Sequence, residues 1–452
     1  MIFEPFKIKN VAFKNRILRS SIGGKTSYYN GAVSPAWQRF ETLFAECGVA
    51  ALISPTVTVD EHRWAPLQYP KISDDRFIAP IREGVRAVQA HDCRYIMQIG
   101  DGGYHAQMSL LAETEDSKTA SRLFDMVFGY TNRTTAMTQE EIARVVQNFA
   151  AGARRAREAG CDGVEIAAHK GYVIHQFLNP GINRRTDDYG GSFENRFRLL
   201  REILAAVRKA VGPDYLIGVR LAAEDRNYLP LNIRLPVVFP LRHYIFGNTL
   251  TEMLEYGRKL AKLDVDYLHV TSGFGFINPG ESPGAWPVDE VRMFANATRH
   301  LSTKTAFRAA LLNAIPRGVL SALFGIGWHY KPGANADFAR AFKQATGLPV
   351  IANGGFDLKE QLDDALQSGT CDLIAMARPL LANPDLLDLF RQGKVPERPC
   401  TYCNRCSAVT AVLPLGCYDR RRFDSQSAME DQILWWSGGP GGENQTDVSR
   451  SN

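Results

Sequence analysis

Two apolar patterns alternate along the chain. Short, β-branched, almost continuously apolar runs fall at 15–22, 49–55, 94–99, 163–166, 215–221, 267–271, 348–353 and 373–376. Strands that read this way are covered on both faces, as in a parallel sheet. Between them lie longer segments with apolar residues at helical spacing: 37–47, 80–91, 139–160, 192–210, 250–263, 336–345 and 358–368. Thr138 with Glu141, and Asp357 with Glu360, stand at capping-box spacing in front of two of these helices. Eight strands, each followed by a crossover, predict an α/β fold, a closed (β/α)8 TIM barrel. A doubly wound open sheet is the alternative, disfavoured because no GxGxxG turn is present.

Two connections break the rhythm. Residues 225–248 and 274–333 follow the fifth and sixth strands, which in a barrel puts both insertions at the C-terminal face where active sites are built. Their aromatic and proline content predicts packed structure, serving either as a substrate lid or as an oligomer interface. The expected layout is a barrel over 1–395, a short cysteine-rich extension over 396–425, and a partly disordered tail over 426–452, whose 438–452 stretch is rich in Gly, Ser and Asn.

Composition changes the picture only at a few points. The chain has 452 residues, 45% hydrophobic and 22% charged, which is the profile of a soluble enzyme with room for a large core. A net charge of +5, dispersed along the chain, argues against a dedicated nucleic-acid binder. No run approaches the roughly 20 apolar residues of a membrane span. The opening MIFEPFKIKN does not read as a signal peptide, so a cytoplasmic location is expected.

Eight cysteines are too few for a disulfide scaffold at this length. Cys47, Cys93, Cys161 and Cys371 sit among apolar residues and read as small buried hydrophobes. Cys400, Cys403, Cys406 and Cys417 are spaced C-x2-C-x2-C-x10-C. Three thiolates within seven residues wrap one face of a metal centre and the fourth closes it. The pattern suits a [4Fe–4S] cluster, with zinc or unligated thiols as the alternatives.

The strand ends carry the remaining candidate chemistry. The seventh strand ends in Asn353-Gly354-Gly355 and the eighth in Ala377-Arg378. Loops after these two strands are where TIM barrels hold phosphates: glycine lets backbone N–H groups approach the oxyanion, and arginine adds a forked cation. Gln98 and Arg220 interrupt otherwise apolar strands. A guanidinium there needs an acidic partner, such as Glu165, or a ligand. After the fourth strand comes a segment with His169, Lys170, Tyr172 and His175, in which a tyrosine at the barrel mouth is placed to donate a proton.

This segment closely resembles the signature of the old yellow enzyme family of flavin-dependent oxidoreductases. The matching pieces are GY-x-x-HQFL-x-P from Gly171, N-x-R-x-D-x-YGGS from Asn183, and ENR from Glu194. NRIL at 15–18, MQIG around Gln98, GVRL around Arg220, and MARPLLANPDL from Met376 extend the likeness over about residues 1–420, outside the two insertions. Within the family the shared cysteine cluster makes the chain most similar to the 2,4-dienoyl-CoA reductase branch. The resemblance implies FMN at the C-terminal face. Ser21, Ile22 and Gly23 would then lie along the flavin, Gln98 at its pyrimidine edge and Arg220 at its N1/O2 side. Asn353, Gly354, Gly355, Ala377 and Arg378 would line the phosphate end, and Tyr172 would be the proton donor. Ala167 and Lys170 stand where many members place a His and a His or Asn that grip a substrate carbonyl. That leaves Lys170, His169 or a donor from the two long insertions to orient the substrate. A Trp-His pair that follows the sixth strand in the reductase branch is absent there; Trp328-His329 comes only after the insertion.

The expected activity is hydride transfer from NAD(P)H through FMN to an activated C=C bond. Two alternatives stand beside it. One is an amine or alcohol dehydrogenase or demethylase that passes electrons through an iron–sulfur cluster to an external carrier. The other is a barrel that has lost turnover and acts as a binding module. Self-association is compatible with each.

Overall fold

The computed structural model describes the chain except for residues 64–68, 104–116, 121–132, 226, 228–240, 275–283, 327–329, 411 and 438–452. Eight parallel strands, β1 (Ile17–Arg19), β2 (Ala51–Ile53), β3 (Arg94–Gly100), β4 (Gly163–Ala168), β5 (Leu216–Ala222), β6 (Tyr267–Thr271), β7 (Val350–Asn353) and β8 (Leu373–Met376), pair in chain order. β8 pairs back onto β1, so the sheet closes into a (β/α)8 barrel. Each coincides with one of the expected apolar runs.

The strands split their side chains cleanly. Leu52, Met97, Ile166, Val219, Leu268 and Ile374 face outward into the large core under the helices. Leu18, Ile53, Ile96, Leu216, Ile351 and Leu373 face inward and form a second cluster inside the barrel. Ile8, Val11 and Phe13 join that inner cluster. They come from an antiparallel hairpin, Phe6–Ile8 with Val11–Phe13, too short for periodicity to betray it. Gly218 faces inward too; a Cβ there would meet the Tyr267 ring at 2.0 Å, so the glycine makes room for that ring in the barrel interior.

Helices Pro35–Glu46, Ile78–Gln89, Gln139–Glu158, Phe193–Val211, Leu250–Leu260, Ala336–Thr346 and Lys359–Gln367 match the expected helical segments to within a few residues. Thr138 and Glu141 form the capping box in full. Asp357 does not cap the last helix: Leu358 is its N-cap, without a side-chain bond, and the Asp357 carboxylate accepts instead from Tyr330 OH at 2.8 Å.

The insertion after β6 contains helices Val288–Thr298, Thr303–Ala314 and Arg317–Gly325. Its described part packs on the cysteine segment: Arg405 pairs with Glu290 at 3.2 Å, and Asn404 Nδ2 donates to the Ala285 carbonyl at 3.0 Å. The insertion after β5 is described mainly through helix Leu241–Phe246 and its roots, where the Asp225 N–H donates to the Asn248 carbonyl at 3.0 Å.

The first part of the expected tail is a helix, Gln426–Trp436, closed at its N-terminus by Ser425. Trp436 is buried and stacks on Phe44 with ring centroids 4.4 Å apart, while its indole N–H donates to Leu381 O at 3.2 Å. Such a ring pair adds about 0.5–1.5 kcal/mol beyond the area it buries. The stretch expected to be disordered, 438–452, lies outside the described residues, as does Trp328-His329. No helix among the described residues is long and apolar enough to cross a membrane.

Candidate active site

Inward-facing positions turn polar toward the C-terminal ends of the strands. Below them sit Ile96, Leu216 and Ile351; above come Gln98, Glu165, Arg220, His269 and Asn353, all buried. Burying that many polar groups is tolerable only if they satisfy one another. Glu165 accepts from Gln98 Nε2 at 2.7 Å, Tyr267 OH at 3.1 Å and His269 Nδ1 at 3.0 Å. Burial by itself raises the Glu165 pKa, but the charge and hydrogen bond of His269, the Arg220 charge and the Gln98 bond outweigh it and hold the carboxyl below its ordinary value. Gln98 Oε1 also accepts from Thr56 at 2.6 Å and Ser21 at 3.3 Å.

Above this layer a cavity opens at the barrel mouth. Ser21, Ile22, Gly23, Lys170, Arg220, Asn353, Gly354, Gly355, Ala377 and Arg378 all line it. Gln98 lies beneath it, one hydrogen bond from Ser21. Arg220 meets both readings made of it, because it lines the cavity and its charge acts on Glu165. Gly354 and Gly355 hold φ of +91° and +79°, backbone that a side chain resists. Gly354, Gly355 and Arg378 line the same cavity, and backbone N–H groups and a forked cation are groups that can answer an oxyanion. Arg378 lies over the Tyr402 ring at 4.7 Å and donates to Asn404 Oδ1, which ties this end of the cavity to the cysteine segment.

The turn after β4 is shaped by two left-handed residues, Lys170 at φ +55° and Gly171 at φ +77°. Lys170 faces the cavity. Gly171 is gripped from helix Val173–Leu178: its N–H donates to His175 Nδ1 at 3.0 Å and its carbonyl accepts from Gln176 at 2.6 Å. His175 Nε2 in turn meets Asp225 at 2.6 Å, and Asp225 also binds Asn179 and Asn248, so the β5 insertion's root is pinned to the turn. Tyr172 is the N-cap of this helix and is 4% exposed. Neither Tyr172 nor His169 is among the cavity-lining side chains. His169 is buried edge-on to Tyr172, and burial together with the Arg220 and Lys170 charges pushes its pKa well below the ordinary value, leaving it neutral.

Cys400, Cys403, Cys406 and Cys417 line one small cavity together with Arg378, Asp419 and Arg422. Arg422 donates to Cys417 Sγ at 3.1 Å and to the carbonyls of Ala382, Arg398 and Pro399, fixing the segment against the barrel. Burial raises Cys400 to about 11 and raises Cys403 and Cys406 as well. Among the described residues no group of three or more His, Cys, Asp or Glu side chains is arranged to hold a metal ion. Cys93, Cys161 and Cys371 are buried and Cys47 is partly so, each with its pKa raised by burial.

Sequence reasoning did not single out Tyr402, Asn404, Leu415 and Tyr69, which also wall the mouth. Tyr402, Asn404 and Leu415 fall within the cysteine motif already marked, whereas Tyr69 arrives from a distant loop outside any motif. His269 was hidden in an apolar strand, where inward alternation with Tyr267 was the available signal.

Residues 1–232 and 326–396 match the model of the NADH:flavin oxidoreductase / NADH oxidase family. The unmatched interval covers most of the two insertions. Over 421 residues the chain is 30% identical to a metal reductase of Desulforamulus reducens, covering 92% of this chain and 53% of the relative. It is 26% identical to a multifunctional alkene reductase/demethylase of Caballeronia cordobensis, covering 90% and 51%. The chain thus spans about half the length of these relatives. Among solved structures, 2-naphthoyl-CoA reductase superimposes with a TM-score of 0.71 at 22% identity, over 91% of this chain and 55% of that one. Morphinone reductase gives 0.60 at 22%, over 89% and 93%.

Proposed function

Since the chain belongs to the NADH:flavin oxidoreductase / NADH oxidase family, we propose that its barrel mouth holds FMN and catalyses NAD(P)H-dependent reduction of an activated C=C bond. One observation carries this reading: a cavity with left-handed glycines and Arg378 at one end lies directly above a buried polar layer that presents Arg220. The walls suit the group. Glycine backbone and a guanidinium answer a phosphate; Ile22, Phe356, Met376 and Leu415 answer a flat apolar ring; Arg220 answers the electron-rich edge of a reduced flavin.

When bound, FMN supplies the two-electron carrier between a nicotinamide and the alkene. Gly354, Gly355 and Arg378 would hold the phosphate, and Ser21 and Gln98 would meet the polar edge of the ring. Arg220 keeps a fixed positive charge where negative charge develops, so little reorganisation is needed during reaction. Lys170, on its strained turn, is the cation that orients the substrate carbonyl. Tyr172, buried two residues beyond Lys170 and outside the cavity lining, is the phenol that would have to turn into the mouth to give its proton to the substrate carbon. The Gly171 clamp formed by His175 and Gln176 sets the position of both Lys170 and Tyr172.

The test is spectroscopic. Purified protein reconstituted with FMN is expected to bleach with NADH or NADPH and to recover colour with an electron-poor alkene. Tyr172→Phe is expected to leave the bleaching step intact and to slow alkene turnover about 100-fold, within the usual range for a lost proton donor. Equal alkene turnover would remove Tyr172 from the mechanism.

We also propose that the four clustered cysteines take a [4Fe–4S] cluster. Their shared cavity and the Arg422–Cys417 bond support it, since a cationic donor suits an anionic cluster. Anaerobic protein is expected to contain iron and acid-labile sulfide, and Cys403→Ser to lose both; zinc without sulfide would overturn the assignment. A second reading, an amine dehydrogenase or demethylase sending electrons out through this cluster, is favoured by the wall that the two cavities share at Arg378, Leu381, Asn404 and Cys406. Bleaching by an amine but by neither nicotinamide would select it.

A further inference from the structure

Hydrogen-bond direction in the layer beneath the mouth points to the charge of one residue. The Asn353 amide must turn its oxygen toward Arg220, whose NH2 lies 2.9 Å away, because a guanidinium only donates. Its nitrogen then points at the Val270 carbonyl, 3.1 Å away, which only accepts, and at the Asn335 amide, 3.2 Å away, which turns its oxygen to accept and gives its nitrogen to Ser272 Oγ, 3.0 Å away. His269 Nε2 lies 3.0 Å from that same Asn353 oxygen and so must carry a proton. On the other side of the ring, His269 Nδ1 lies 3.0 Å from Glu165 Oε2, which accepts there and from Tyr267. A ring that donates from both nitrogens is an imidazolium.

We propose that His269 is a permanent cation of the barrel interior, a second fixed positive charge beside Arg220, with Glu165 as its counterion and Asn353 bridging the two cations. Arg220 and His269 are register partners on β5 and β6, so backbone pairing sets their spacing. Among the described residues, the groups around His269 include Glu165 on β4 with Tyr267 bonded to it, Arg220 at the paired position on β5, Asn353 on β7 and the neutral His169 after β4. With Glu165 ionised the layer keeps one net positive charge under the cavity. His269 is fully buried and does not line the cavity; it acts through Arg220 and Asn353 as a positioning and charge-setting residue.

The consequence for the cofactor rests on the flavin reading above: positive charge below the ring favours its reduced, anionic form. Nitrogen-15 NMR of histidine-labelled protein, with the resonance assigned by its loss in His269→Asn, tests the charge itself and needs no flavin. Both ring nitrogens are expected at the imidazolium position at pH 7, and Glu165→Gln is expected to return the ring to a neutral tautomer. A neutral ring in the unaltered protein overturns the proposal. In FMN-loaded protein, His269→Asn is expected to shift the midpoint potential of the flavin to more negative values; an unchanged potential overturns the electrostatic role. Protein that binds no FMN while showing the imidazolium would sink the proposed function and leave the charge assignment standing, so the two failures are told apart.

Discussion

Gly355→Val is expected to abolish tight FMN binding while the barrel stays folded. Gly355 holds φ +79°, and a Cβ there would stand 2.4 Å from the Lys331 carbonyl oxygen and 3.0 Å from the backbone nitrogens of Gly333 and Ala334. The obstacle is backbone on every side, so no side chain can swing away. A β-branched residue adds a conformational cost of about 1–3 kcal/mol. The least costly escape moves the glycine loop off its seat, which takes the phosphate-binding N–H groups with it. A loss of about 2–3 kcal/mol in cofactor affinity is about two orders of magnitude in Kd. Titration of apoprotein with FMN by fluorescence quenching, with far-ultraviolet circular dichroism as the fold control, measures it. Unchanged affinity would remove the glycine pair from the site.

Glu41→Ala is expected to destabilise the fold by about 3–5 kcal/mol, because it strands a buried guanidinium. Arg19 on β1 and Glu41 on helix Pro35–Glu46 are both fully buried and ion-paired between strand and helix, away from the mouth. Arg19 also donates to Ile53 O at 3.0 Å and packs near the Phe44 ring at 5.2 Å. Replacing the pair together, as Arg19→Met with Glu41→Leu, is expected to recover most of the loss, since no charge is then left unpaired. Denaturant unfolding of the single and double variants reads both. Equal stability of the single variant and the parent would show that water reaches Arg19.

The strands and most barrel helices were legible because their signals are local. Val164, Ile166, Val219 and Leu221 are apolar whichever way the sheet closes, and Thr138 with Glu141 caps its helix within four residues. The Asp357 reading failed for the complementary reason: its carboxylate was taken by Tyr330, which lies twenty-seven positions away in the sequence and is brought close by the insertion. Helix Gln426–Trp436 sat within a stretch read as tail because its amphipathic pattern is weak; Phe40, Phe44 and Leu381 are what hold its Trp436.

What the amino-acid order determined alone was the alternation of apolar runs, the glycine-bearing strand ends, the cysteine spacing, and the isolated polar residues Gln98 and Arg220. Only the closed barrel decided that Gln98, Glu165, Arg220, His269 and Asn353 share one buried layer. Inward direction follows from register around the whole ring of strands, and no single strand contains that information. Charge follows the same logic: a histidine in an apolar strand has no definite protonation state until the fold places a carboxylate on one nitrogen and an amide oxygen on the other.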